Sequence, residues 1–131
     1  MHMKTIALIA HNEKKNELLE WAKQHREVLQ HYELIGTSNT ARLINSLLGL
    51  QVKPFGHGPS GGDILLSAKI LKGKVQKVIF FIDSENPHGH EHDIQTLIRT
   101  AVINNVPIAL NRASADYIIM EQGDSESPQL P

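Results

Sequence analysis

The densest group of reactive side chains lies between residues 83 and 93, where Asp83, Glu85, His88, His90, Glu91, His92 and Asp93 fall in one short stretch. A histidine beside carboxylates suits acid–base chemistry, because imidazole titrates near neutral pH and a neighbouring carboxylate tunes it. Three histidines at alternate positions also suit zinc, with Asp83 or Asp93 completing the ligand set. A solvated loop whose acidic residues cap the next helix is the third reading. Zinc is the least favoured, since the chain has neither a helical His-Glu-x-x-His nor any cysteine. Two further segments suit an anion. Gly36-Thr37-Ser38-Asn39-Thr40 offers hydroxyls and backbone N–H groups where a strand meets a helix. Gly58-Pro59-Ser60-Gly61-Gly62-Asp63 lets the backbone approach a ligand closely before a helix starts. In both segments simple helix capping is the competing explanation. Neither is a P-loop, and no Gly-x-Gly-x-x-Gly follows the first strand.

The elements that position these residues alternate. Thr5 to Ala10 is a continuous apolar run, as in a strand buried on both faces. A helix is expected over 12–31, with Leu18, Leu19, Trp21, Ala22 and Val28 on its apolar side. A short strand over 33–35 ends at Gly36, and a second helix follows Thr40 and stops near Gly49. A weak strand over 52–55 precedes the glycine loop, and a third helix runs from Asp63 to about Leu71. A second strong strand is expected over 77–82, a helix over 93–104, a last strand over 106–110 and a closing helix over 113–120. This order predicts an α/β single-domain three-layer sandwich: a central, mostly parallel five-stranded sheet with helices on both faces. Ligands of such sheets bind beyond the carboxyl ends of the strands. His11-Asn12, residues 36–40, 56–63 and 83–93, and Asn111 should therefore share one rim.

Composition narrows the function classes. A chain of 131 residues, 40% hydrophobic and 21% charged, fits one soluble globular domain. We place that domain over 1–120 and a polar tail over 121–131. A formal net charge of −1 gives no basic field for nucleic acid or an anionic membrane. No apolar run approaches the ~20 residues that span a bilayer. The start Met1-His2-Met3-Lys4 lacks the shape of a signal peptide. Together with the absence of cysteine, this leads us to expect a cytoplasmic protein.

Five segments in order resemble the methylglyoxal synthase family, over about residues 4–120. Ile6-Ala7-Leu8-Ile9-Ala10-His11-Asn12-Glu13-Lys14-Lys15 is similar to its first strand with Ala-His-Asp-x-x-Lys, and Gly36-Thr37-Ser38 to its Gly-Thr-Thr phosphate turn. Gly58-Pro59-Ser60-Gly61-Gly62-Asp63 matches Gly-Pro-x-Gly-Gly-Asp, the most specific element. Asp83, His90 and Asp93 keep the spacing of its Asp, His and Asp, and Ala109-Leu110-Asn111 resembles its Ala-Thr-Asn. The resemblance implies a lyase that converts dihydroxyacetone phosphate to methylglyoxal and inorganic phosphate, with no metal or organic cofactor. It also implies a homohexamer inhibited by phosphate. Asp63 would be the general base, His90 would polarise the carbonyl and shuttle a proton on the enediol, and Asp83 and Asp93 would orient these groups. His11, Lys15, Thr37, Ser38, Thr40 and Gly58 would hold the substrate and its phosphate.

The chain departs from the family pattern mainly around the phosphate. Asn12 stands for an Asp, Ile35 for a Thr and His57 for a Ser. Asp83-Ser84-Glu85 replaces Asp-Pro-Leu, and Gly89-His90 replaces Pro-His. The phosphate turn reads two residues longer, with Ser38-Asn39-Thr40-Ala41 in place of Thr-Gly. A protonated His57 would add back a phosphate donor. The alternative to a working lyase is a non-catalytic or retuned relative that senses a phosphorylated metabolite, as the related domain of carbamoyl phosphate synthetase does.

Overall fold

The apolar run Thr5–Ala10 forms strand β1 at the centre of the sheet in the computed structural model, and all its side chains are buried. The structure describes residues 4–55, 58–83 and 91–120, with the backbone alone over 58–64 and 91–93. Burial on both faces explains why β1 reads as continuous rather than alternating hydrophobicity. The other strands are β2 (Glu33–Gly36), β3 (Val52–Pro54), β4 (Lys77–Phe81) and β5 (Ile108–Ala109). They lie in the order β3-β2-β1-β4-β5, and every pairing is parallel, where the sequence suggested mostly parallel. Leu8 of β1 stands opposite Gly36 on one side and Ile79 on the other.

The pleat sends alternate side chains to two cores. Ile6, Leu8 and Ala10 join Leu18, Trp21, Ile44 and Ile119 on one face. Ala7 and Ile9 join Leu66, Ile70, Ile94 and Leu97 on the other. The first face is covered by α1 (Lys15–Gln24), α2 (Arg26–Leu29), α3 (Ser38–Leu48) and α6 (Arg112–Met120). The second is covered by α4 (Gly58–Leu71) and α5 (Glu91–Ile103). The three layers expected from the sequence are therefore present. Among the described residues no helix is long and apolar enough to cross a membrane.

Several boundaries differ from the sequence reading. The helix expected over 12–31 is a 3-10 turn at Asn12–Lys14 followed by α1 and α2. His25, with φ −109° and ψ 22°, breaks the two helices apart. Its ring lies 4.9 Å from that of Trp21 and its Nε2 is 3.1 Å from Asp116 Oδ1, so tertiary contacts hold the break. α4 begins at Gly58 rather than Asp63. The glycine segment supplies its first turns, where Pro59 needs no N–H partner and brings a helical φ. α5 begins at Glu91 rather than Asp93, and α6 at Arg112 rather than Ala113. β5 is only Ile108–Ala109. Next to it, the Pro107 carbonyl still accepts from the Val78 N–H at 3.0 Å, although proline has no N–H to offer in return. The tail over 121–131 lies outside the described residues.

Candidate active site

The strand order fixes where a site can form. The chain runs outward from β1 through β2 to β3, then crosses back to β4 and on to β5. The segments leaving β1 and β4 therefore diverge to opposite faces, α1 to one core and α5 to the other. Such a divergence opens a crevice at the carboxyl ends of the two strands.

Residues from both strands meet at that crevice. The His11 N–H donates to the Phe81 carbonyl at 3.1 Å, which continues the β1–β4 ladder by one step. The Asp83 N–H donates to His11 Nδ1 at 2.8 Å. Because Nδ1 accepts, the proton of the neutral ring sits on Nε2. The ring is held edge-on to Phe80, with centroids 5.3 Å apart. Lys15, the first residue of α1, donates from Nζ to the Ala10 carbonyl at 3.1 Å. Burial pushes its pKa below the usual lysine range, because desolvation penalises the ammonium. The ammonium thus stands at the end of β1, in a partly dry place where an anion would relieve its desolvation.

The adjacent strand leads into a helix N-terminus at the same rim. Thr37 follows β2 with an extended backbone (φ −64°, ψ 160°), and its side chain does not cap α3. Its hydroxyl instead donates to Thr40 Oγ1 at 3.3 Å, and Thr40 is buried. Capping, the competing explanation for this segment, is therefore not what Thr37 does. Ser38, Asn39 and Thr40 form the first turn of α3, so the extra length read as a longer turn lies in the helix. Gly36 belongs to β2 rather than to a turn. A Cβ there would lie 2.8 Å from the Leu8 carbonyl oxygen and 3.2 Å from Val52 Cγ1, so close strand packing requires glycine. Ile35 packs against the core on the α4 side of the sheet.

The remaining candidates divide. Gly58 opens α4 after β3, and Asp93 lies in the first turn of α5 after β4, so both backbones start at the same rim. Asp63 lies one turn further into α4. The side chains of Asp63 and Asp93 are not among those described, and His90, His88 and His57 lie outside the described residues. His92 lies in α5, again with its backbone alone described. Among the described residues no group of three or more His, Asp or Glu side chains could hold a metal ion. Asn111 reaches the rim but caps α6, its Oδ1 accepting from the Ser114 N–H at 2.9 Å. The bond from Asp83 to His11 went unread in the sequence, because nothing local connects residues 72 positions apart.

Comparison with known proteins agrees with this frame. The MGS-like domain model matches residues 17–110. The chain is 45% identical over 117 residues to the methylglyoxal synthase of Leptospira interrogans, covering 89% of this chain and 79% of that one. It is 41% identical over 119 residues to the methylglyoxal synthase of Coxiella burnetii, covering 91% and 83%. A crystal structure of methylglyoxal synthase from Elizabethkingia anophelis superposes with a TM-score of 0.84 at 39% identity, over 96% of this chain and 79% of that chain. The matched length takes in β2 to β5 and the segments that follow β2, β3 and β4, while β1, His11 and Lys15 precede it; the fold agrees over nearly the whole chain. On both grounds the chain belongs to the MGS-like domain family.

Proposed function

We propose that the chain is a methylglyoxal synthase, a carbon–oxygen lyase that converts dihydroxyacetone phosphate to methylglyoxal and inorganic phosphate. The observation that carries this reading is the joined carboxyl end of β1 and β4. There the Asp83 N–H holds His11 in its Nε2–H form beside the desolvated Lys15 ammonium. The identity of 45% to a methylglyoxal synthase over most of the chain supports it.

In the reaction, the Asp63 carboxylate takes a proton from the hydroxymethyl carbon beside the carbonyl. The C–H electron pair moves into the carbonyl system and gives an enediolate. His11 Nε2–H and His90 meet the negative oxygens, since donors set in place beforehand stabilise such charge most. Asp83 and Asp93 orient these groups. The enediolate then expels phosphate: the C–O bond to the phosphate-bearing carbon breaks, and its electron pair leaves with the phosphate oxygen. The enol of methylglyoxal that remains takes a proton on carbon and becomes the ketoaldehyde. Expulsion needs the C–O bond turned out of the enediolate plane, so the grip on phosphate decides between elimination and simple isomerisation. Lys15, the α3 N-terminus with Thr37, Ser38 and Thr40, and Gly58 provide that grip. No step requires a metal or an organic cofactor. The active form is a homohexamer, phosphate inhibits as product, and the enzyme works in the cytoplasm, where a chain without cysteine meets no oxidative demand.

The test is release of methylglyoxal and phosphate from dihydroxyacetone phosphate, with Asp63→Asn beside the parent. We expect stoichiometric release by the parent and a loss of about 10²–10⁴ in the variant, the usual range for a general base. A parent that binds phosphate and releases neither product would overturn the lyase and leave a phosphate sensor.

A further inference from the structure

We propose that a second site, at the end of the sheet opposite the catalytic rim, binds a phosphorylated polyhydroxy compound. The helices of the α4 side do not cover the whole sheet. The core beneath them takes buried side chains from β1 and β4, while β2 gives it only the partly buried Ile35. Over the amino-terminal ends of β2 and β3 this leaves a cleft of about 700 Å3. That volume falls in the ordinary range of small-molecule pockets. Thr5 at the start of β1, Glu33 at the start of β2 and Gln51 just before β3 line it, which sets it at the far end from His11 and Thr37.

The charge of the cleft points to its ligand. Lys53 of β3, Lys69 of α4 and Lys74 of the segment before β4 all line it. Among the described residues none of these ammonium groups pairs with a carboxylate. The carboxyl-terminal end of α4 favours a cation at Lys69, but it gives no reason for Lys53 on a strand. Three unneutralised cations in a concave site create a local field that concentrates anions, although the whole chain carries a net charge of −1. Glu33 is the counter-feature, one carboxylate among three lysines. It repels a bare anion but accepts hydrogen bonds from hydroxyl groups. Gln30 and Gln51 can donate or accept beside it, and Leu50 gives an apolar wall. A phosphoryl group on the lysines with hydroxyls toward Glu33 matches both signs of charge in the cleft. The cleft shares no lining residue with the rim, so it can bind its ligand whatever the rim does.

Calorimetric titration of the full chain with glucose 6-phosphate at low ionic strength tests the site, with light scattering alongside. We expect saturable binding that Lys15→Ala at the rim leaves intact. The triple variant Lys53→Ala, Lys69→Ala, Lys74→Ala should weaken it at least tenfold, and the matching triple Lys→Arg variant should keep it. All three lysines are at least partly solvent-facing, so the folded state should survive in each variant. Binding that persists in the triple alanine variant and disappears with Lys15→Ala would place the only anion site at the rim and overturn the proposal. So would a parent that binds neither glucose 6-phosphate nor pyrophosphate at millimolar concentration. A triple alanine variant whose mass falls to a smaller assembly would show that a second copy of the chain fills the cleft, with the same consequence.

Discussion

Replacing Gly36 by alanine sets two physical effects against each other. Where the backbone conformation allows it, glycine to alanine stabilises by about 0.4–1 kcal/mol, because the unfolded chain loses freedom. Gly36 has no left-handed φ, so its conformation does not forbid alanine. Space does. The new Cβ would stand 2.8 Å from the Leu8 carbonyl oxygen, and ordinary contact begins at 3.4 Å. The obstacle is backbone of the central strand, which cannot rotate away as a flexible side chain does. β1 and β2 must part by more than half an ångström, or Gly36 must shift and strain the 2.8 Å bond from the Phe55 N–H to its carbonyl. Overpacking of this kind costs about 1–3 kcal/mol, so we expect a net loss of about 1–2 kcal/mol after the entropic gain. Urea unfolding should show a lower midpoint with an unchanged slope, the mark of altered stability rather than an altered denatured state. The next residue is Thr37, so the same displacement should reach the proposed phosphate grip. A misplacement approaching 1 Å costs up to about 10² in rate, and kcat/KM for dihydroxyacetone phosphate should fall by about tenfold or more. A variant as stable and as active as the parent would refute the reasoning about the β1–β2 contact.

Two further perturbations test other parts of the structure. Lys15 has a depressed pKa in the fold, so the unfolded chain binds more protons between that value and the ordinary lysine value of 10.5. Stability should therefore rise with pH through this window and level off above it, a rise that Lys15→Met should lack in a pH series of unfolding midpoints; parallel curves would contradict the assignment. Phosphate affinity should fall over the same window as the ammonium is lost. Asp116 Oδ1 accepts from the buried Trp21 Nε1 at 2.9 Å, so Asp116→Leu should cost about 1–3 kcal/mol by leaving that donor unsatisfied. Asp116→Asn keeps an acceptor and should cost less; equal urea midpoints for the two variants would remove the hydrogen bond from the account.

The architecture was legible because its central strands are unambiguous. Runs such as 5–10 and 77–81 are apolar at nearly every position, and only a strand covered on both faces needs that. The break at His25 was not legible, since α2 continues the apolar pattern of α1 and Leu29 is buried like Leu18. What interrupts the helix is a contact with Asp116, distant in sequence. The start of α4 was misplaced because three glycines and a proline within 58–62 look like a loop, although the first turn of a helix tolerates them. At the site, the candidate residues came from motif order alone. The sequence placed His11 and Thr37 on a rim but could not say that Asp83 holds one by its backbone N–H, or that Thr40 takes the hydroxyl of the other. Gly36 was read as part of a phosphate turn, whereas its neighbours show a packing constraint.

The tie between Asp83 and His11 also bears on how the protein comes into being. It closes a loop of 72 residues, and the Thr5 N–H makes a companion bond to Gln76 Oε1 across 71. Contacts so far apart in sequence are formed late, because the chain must lose loop entropy before they return any stability. During synthesis, β1 with β2 and β3 can assemble first, but it presents an open edge until residues 77–81 arrive to pair with it. The crevice does not exist before that moment. On the proposed mechanism, a half-made chain has no place in which to start the proton transfer, and activity begins only when the second half of the sheet has docked.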